Sequence, residues 1–427
     1  MQNQAIIQLL LTGNEIMSGD TVDSNSAAIA LHLAQQGLSV YRKVTVGDNR
    51  ELLKSEINSL ANNSDVLIIN GGLGPTIDDL TAQVIAEATN LPLEENAEAL
   101  SHLRQWCDRR GASLNAANLT QAQLPKGCTI IDNPKGSAVG FALYIGDCLV
   151  LCTPGVPSEL RSMFDQISHL IGKHLQHSEK VHIIRLQCLG IGESTIQQLV
   201  SDNCPDWPDQ IDLGFRAGAP QLEVKLTSHS QEHNLLQEQC RQKLYTLLDN
   251  HIIGEGDSRI AEVVLGMLVD QGKTLTTAES CTGGLIASML TEVPGSSRGY
   301  HAGFVTYAND IKTSVLGVSE KSLQEQGAVS ETVVRQMAHG AIGRSGADYA
   351  IAVSGVAGPE GGSAEKPVGT VWIAWGSTEK MQTICLRFNA DRKLFQVMVA
   401  AIGLDLIRRE IAKISTTPRY FIDRKPK

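Results

Sequence analysis

The chain has no excess of positive charge. Its 36 lysines and arginines are outnumbered by 46 aspartates and glutamates, which leaves a formal net charge of −10. General nucleic-acid binding needs a basic face, so nucleic acid is not expected as a partner. No run of 18 apolar residues occurs either, and a membrane-spanning helix is not expected. The nine cysteines are odd in number and contain no CxxC spacing. That pattern excludes the usual zinc signatures and a disulfide framework, and fits reduced thiols in the cytoplasm. Cys148 and Cys152 bracket an apolar strand, where buried free thiols are common. The first eleven residues lack a basic segment and a small-residue cleavage site, so they read as a first strand and not as a signal peptide.

What is present is a globular composition, 42% hydrophobic and 19% charged, over 427 residues. That length is too great for one ordinary domain and implies two or three. Residues 5–11 are apolar except for Gln8 and suit a strand covered on both faces. A polar loop at 12–20 follows, then Asp23, Ser24 and Asn25 as helix caps. Residues 40–46 read as strand two, 50–61 as a helix and 65–70 as strand three. The last runs directly into Gly71-Gly72-Leu73-Gly74-Pro75-Thr76, followed by Asp78, Asp79 and another helix. This rhythm predicts a doubly wound α/β domain, whose ligands sit beyond the C-terminal strand ends. The glycines permit close backbone approach to a phosphate. Paired carboxylates beside such a loop suit a divalent metal; alternatively, the aspartates only cap the helix.

Histidines 169, 174, 177 and 182 have no carboxylate at metal spacing and read as surface residues. From about 181 to 254, two strand patterns and two helical ones predict a small α+β segment of ferredoxin-like or KH-like kind. Its Gly-Ile-Gly-Glu-Ser loop at 190–194 reads as a turn and cap. The segment is expected to act as a spacer or a dimer contact.

The remainder is organised around residues 276–312. A short β-branched strand passes through Glu279-Ser280-Cys281-Thr282-Gly283-Gly284 into an apolar helical pattern. Such a turn exposes a hydroxyl or thiol beside free backbone N–H groups, a ready oxyanion site. Serine needs a base. Residues 301–307 read as a second strand, and Lys312 lies in the helix that follows. A lysine partly desolvated there is able to accept the serine proton. The competing reading keeps Ser280 and Thr282 as caps and Lys312 as a solvated lysine. A glycine-rich loop at 355–362 is long enough to fold over a substrate, and Arg392 opens the last helix, where it is able to hold a phosphate.

Three motifs, TTAESCTGG, FVTYANDIK and SGVAGPEGGSAEKPVGTVWIA, resemble the C-terminal domain of the CinA (competence/damage-inducible) family. The strings GNEIMSGDTVDSNS, VGDN and GGLGPTIDDLT resemble that family's N-terminal domain, which is related to molybdopterin-binding proteins. The resemblance implies three domains: a molybdopterin-binding-like domain at 1–175, a small α+β domain at 176–255 and an α/β amidohydrolase domain at 256–427. It implies deamidation of nicotinamide mononucleotide by Ser280 with Lys312 as base and Tyr307 as supporter, without a metal. Thr282, Gly283, Gly284, Gly358 and Arg392 would contact that substrate. For the first domain it implies metal-dependent ADP-ribose pyrophosphatase activity. There Gly71, Gly72, Gly74, Thr76, Asn25 and Gly136 would form the nucleotide site, and Asp78, Asp79, Asp48 and Glu15 would hold the divalent metal. Leu73 stands where the molybdopterin-binding relatives carry threonine, so molybdopterin is not expected. Val139 replaces a usual proline, Ala390 a usual glycine and Phe395 a usual arginine. A cytoplasmic homodimer is expected. The alternative is a nucleotide-binding, competence-related adaptor with inactive sites.

Overall fold

The computed structural model describes residues 5–175 and 181–426. They gather into two compact units, one of residues up to 182 with 229–232, the other of 183–228 with 233 onward. No helix among the described residues is long and apolar enough to cross a membrane.

In the first unit, Ile7–Thr12 and Val66–Asn70 are buried at every position. Strands buried on both faces belong in the middle of a parallel sheet. The six-stranded order is Val40–Val46, Ile7–Thr12, Val66–Asn70, Cys148–Thr153, Gly140–Ile145 and Thr129–Ile131. The first four run parallel, and the last two pairings are antiparallel. Alternate residues of the central strands feed two cores. Leu10, Leu67, Ile69 and Val150 meet Leu53, Ile57, Val84 and Leu100 from helices on one face. Leu9, Leu11, Ile68 and Leu151 meet Ile29, Leu33, Met163 and Ile167 from helices on the other. The doubly wound arrangement expected from the sequence is therefore present. The antiparallel pair at 129–145 was not legible, because its strands are short and carry no alternation.

In the second unit the middle segment forms a four-stranded sheet, ordered Ile211–Arg216, Gln221–Ser228, His182–Leu189 and Ile252–Glu255. Helices Glu193–Asn203 and Asn234–Leu248 bury Ile196, Val200, Cys240 and Leu244 against it. This segment is fastened to the last domain. Asp405 is fully buried and accepts from Arg408, Arg409 and the Tyr420 hydroxyl at 2.7–2.8 Å. Arg408 also donates to the carbonyl of Asn250 at 2.7 Å. A buried carboxylate is tolerated only when paired and hydrogen-bonded in this way. The segment thus shares a compact unit with the last domain.

The last domain carries a five-stranded sheet, ordered Tyr300–Val305, Leu275–Glu279, Tyr349–Gly355, Thr370–Gly376 and Met381–Arg387. Leu275–Glu279 runs parallel to both neighbours, and the last two pairings are antiparallel. The C-terminal ends of Tyr300–Val305, Leu275–Glu279 and Tyr349–Gly355 therefore share one edge of the sheet. Two successive antiparallel steps bring the end of Met381–Arg387 to the same edge. The 20-residue helix Arg392–Ile411 starts from there and is buried along most of its length.

Candidate active site

Leu275–Glu279 is buried at all five positions, so its chain direction and the turn that follows are held firmly. The ladder continues past the strand end. Ser280 N–H donates to Val353 O at 3.1 Å, and Thr306 N–H donates to Glu279 O at 2.9 Å. These bonds bring Ser280 beside the first turn after Tyr300–Val305, where helix Asn309–Leu316 begins.

Lys312 projects from that helix and is only 1% exposed. Its Nζ lies 3.1 Å from Ser280 Oγ, 2.8 Å from Thr306 O and 2.9 Å from Tyr307 O. Among the described residues it has no carboxylate partner. Burial therefore holds its pKa below the usual lysine value of 10.5. The solvated-lysine alternative does not survive this geometry. Tyr307 lies in the same cluster. Its carbonyl accepts from Lys312, while its exposed phenol accepts from Arg392 at 3.0 Å.

Cys281, beside Ser280, is buried, and burial pushes its thiol up to about 12. A thiol in that state is not a nucleophile at neutral pH. Cys281→Ala is expected to keep at least half of the wild-type turnover, measured as ammonia release. Loss of activity in that variant would move the nucleophile from residue 280 to residue 281.

The turn residues divide the backbone donors differently from the sequence reading. Gly284 N–H is taken by the Glu279 carboxylate at 3.1 Å, and Gly283 N–H by Ser280 O at 3.1 Å. The Thr282 hydroxyl also donates to Glu279, at 2.7 Å. Neither glycine N–H is free for an oxyanion, and the Thr282 side chain is turned inward. Among the described residues, the main-chain N–H groups of Cys281 and Thr282 make no backbone hydrogen bond, so they are the donors of the turn left unspent. Gln396 supports the turn by donating to Cys281 O at 2.8 Å. Neither Glu279 nor Gln396 was singled out from sequence. Glu279 carried one signal, a carboxylate ending a β-branched strand just before a glycine turn.

A cavity of about 180 Å³ adjoins this cluster, lined by Ser280, Tyr307, Asn309, Lys312, Ser354 and Arg392 among others. Arg392 is held at its mouth by Gly358 O at 2.8 Å and the Tyr307 hydroxyl. The sequence-assigned Gly358 thus reaches the site through its carbonyl. Phe395, in place of a second arginine, is fully buried in the core.

The first unit has its own cavity, of about 550 Å³, at the C-terminal ends of its parallel strands. Gly71, Gly72, Gly74, Thr76, Asn25, Asp48, Asp78, Asp79 and Glu15 all line it; Gly136 does not. Gly136 is instead held by Asn133 and His102, next to the lining residues Ser137 and Ala138. Gly71 adopts φ 113° against the carbonyl of Thr12, where no side chain fits. The four expected metal ligands do not converge. Asp48 accepts from the Thr12 hydroxyl at 2.8 Å and Asn14 N–H at 3.0 Å. Asp79 accepts from Thr76 N–H at 2.9 Å. No cluster of three or more metal-ligating side chains exists among the described residues. Asp48 and Asp79 are used to shape loops, so the four carboxylates do not fit a preformed metal centre. Among the histidines, His169 is exposed and His174 bonds the carbonyl of Asp65; His177 lies outside the described residues.

Residues 257–411 match the family model described as the CinA C-terminal domain, and residues 8–173 match that of a probable molybdopterin binding domain. The chain is 52% identical to a CinA-like protein of Colwellia psychrerythraea, over 98% of each chain. It is 36% identical to the nicotinamide-nucleotide amidohydrolase PncC of Shewanella oneidensis, over 95% of this chain and 96% of that one. Among solved structures, the competence/damage inducible protein CihA of Agrobacterium tumefaciens shares 43% identity, covering 35% of this chain and 91% of its own, with a TM-score of 0.34.

Proposed function

The chain belongs to the CinA family, and from that premise we propose that its last domain is a nicotinamide-nucleotide amidohydrolase working through Ser280 and Lys312. One observation carries the reading: a buried amine stands 3.1 Å from a serine hydroxyl with only carbonyls as its other partners. A neutral amine has two N–H groups and one lone pair. With the carbonyls of Thr306 and Tyr307 accepting two N–H groups, the remaining position on nitrogen, a lone pair in the neutral amine, is left for Ser280.

In the first half-reaction, Lys312 takes the Ser280 proton as Oγ bonds to the carboxamide carbon. The oxyanion is met by the free N–H groups of Cys281 and Thr282. Lys312 returns the proton to nitrogen, the C–N bond breaks and ammonia leaves. In the second, water adds to the acyl ester, giving its proton to Lys312, which passes it to the departing Oγ. The product is nicotinic acid mononucleotide. The cavity, at about 180 Å³, is below the roughly 300–1,000 Å³ of whole-ligand pockets. It suits the ring and carboxamide, with the phosphate outside on Arg392. Ammonia release from nicotinamide mononucleotide by the purified protein tests the reading, and absence of release would end it.

For the first domain we propose ADP-ribose hydrolysis, favoured by a large cavity beyond the parallel strand ends. Six carboxylates line it (Glu15, Asp23, Asp48, Asp78, Asp79 and Glu159), with no lysine, arginine or histidine. That field repels a bare diphosphate, so turnover is expected only when a divalent cation neutralises the ligand. A chelator is expected to abolish ADP-ribose turnover and leave ammonia release intact, and Asp78→Ala and Asp79→Ala to lose only the former. ADP-ribose turnover that survives the chelator would refute the metal requirement.

A further inference from the structure

Glu279 is fully buried, and among the described residues it has no cationic partner. An isolated buried carboxylate is costly, yet this one is fully supplied with donors. It accepts from the Thr282 hydroxyl at 2.7 Å and from the N–H groups of Gly284 at 3.1 Å, Ile286 at 3.0 Å and Ala287 at 2.8 Å. Charge-assisted bonds of this kind are stronger than neutral ones. All four donors lie in the segment after Ser280, so the carboxylate draws residues 282–287 back onto the end of the strand.

We propose that Glu279 is the positioning residue of the nucleophile turn, a role that rests on the amidohydrolase reading. Its effect is selective. It consumes the N–H groups of Gly284, Ile286 and Ala287, and leaves those of Cys281 and Thr282 for the substrate. It also restrains a turn whose two glycines, Gly283 at φ 65° and Gly284 at φ 97°, would otherwise be the most compliant part of the site.

Glu279→Gln keeps the volume but offers one acceptor oxygen and an NH₂ group that faces other donors. Oxyanion donors displaced by about 1 Å cost on the order of 10²-fold in rate. Substrate affinity is set elsewhere, by the cavity and Arg392. The full-length chain is compared as wild type, Glu279→Gln, Thr282→Val and Thr282→Ser, with Ser280→Ala as the reference for binding. Ammonia release gives kcat, calorimetric titration with nicotinamide mononucleotide gives site number and Kd, and thermal unfolding gives the folded fraction. Glu279→Gln is expected to bind one mononucleotide per chain, with Kd within about threefold of Ser280→Ala, while kcat falls about 100-fold. Thr282→Val, which removes one of the four bonds, is expected to lose about tenfold, and Thr282→Ser, which keeps the hydroxyl, to stay within about twofold. A Glu279→Gln kcat within fivefold of wild type overturns the assignment, as does a loss matched by loss of binding sites. If that variant does not fold, equal rates in Thr282→Val and Thr282→Ser overturn it. A wild-type protein that releases no ammonia strikes the amidohydrolase reading instead.

Discussion

Ser280→Ala is expected to reduce ammonia release from nicotinamide mononucleotide by on the order of 10⁴-fold, as removal of a serine nucleophile does elsewhere. Binding should change little, because a hydroxyl that reacts contributes mainly in the transition state. The variant should also fold. Ser280 N–H keeps its bond to Val353 O, and the Lys312 amine keeps the carbonyls of Thr306 and Tyr307. Residual turnover is expected from water deprotonated by Lys312 in the vacated space. A coupled ammonia assay decides the matter. A Ser280→Ala protein retaining a tenth of the wild-type rate would mean that the attack comes from another group.

Lys312→Met should cost about 10²–10⁴-fold, the usual contribution of a general base. Methionine fills the same buried space but leaves two carbonyls without a donor, so unfolding must be followed beside activity. The pH dependence carries the sharper test. The base has to be neutral, and burial holds the folded Lys312 pKa below 10.5. In wild type, kcat/KM should therefore rise with pH and level off once Lys312 is neutral, with a midpoint below 10.5. That limb should vanish in Lys312→Met. Lys312→Arg separates a base from a mere positive charge, because guanidinium does not deprotonate in proteins. An arginine variant as active as wild type would show that charge alone suffices.

Part of the candidate cluster was legible without coordinates. A strand, a small-residue turn and a helix in succession narrow the candidates to Ser280, Cys281 and Thr282, and a second strand-to-helix junction offers Lys312. The choice of Ser280 and Lys312 came from the family resemblance. The errors share a cause as well. Gly283 and Gly284 were expected at the substrate because a helix start usually leaves its N–H groups open. Here a buried carboxylate from the preceding strand occupies the Gly284 N–H, Ser280 O takes that of Gly283, and the Thr282 hydroxyl turns inward. The carboxylates of the first unit were expected at a divalent metal, Asp78 and Asp79 as a pair beside a glycine loop and all four, with Asp48 and Glu15, from the family resemblance. Asp48 and Asp79 instead close their own loops onto Thr12, Asn14 and Thr76.

The amino-acid order alone determined that the strands near 7–12 and 66–70 are buried on both faces, where the glycine turns after them and after residue 280 fall and which residue types stand there, because those follow from periodicity and backbone preference. Only the tertiary structure decided how donors and acceptors are shared. Whether an N–H is open or spent, whether Lys312 is dry and whether four carboxylates converge all depend on groups that are distant in the chain or on how a side chain turns. Hydrogen bonding saturates and burial is collective, so neither is a property of any local stretch.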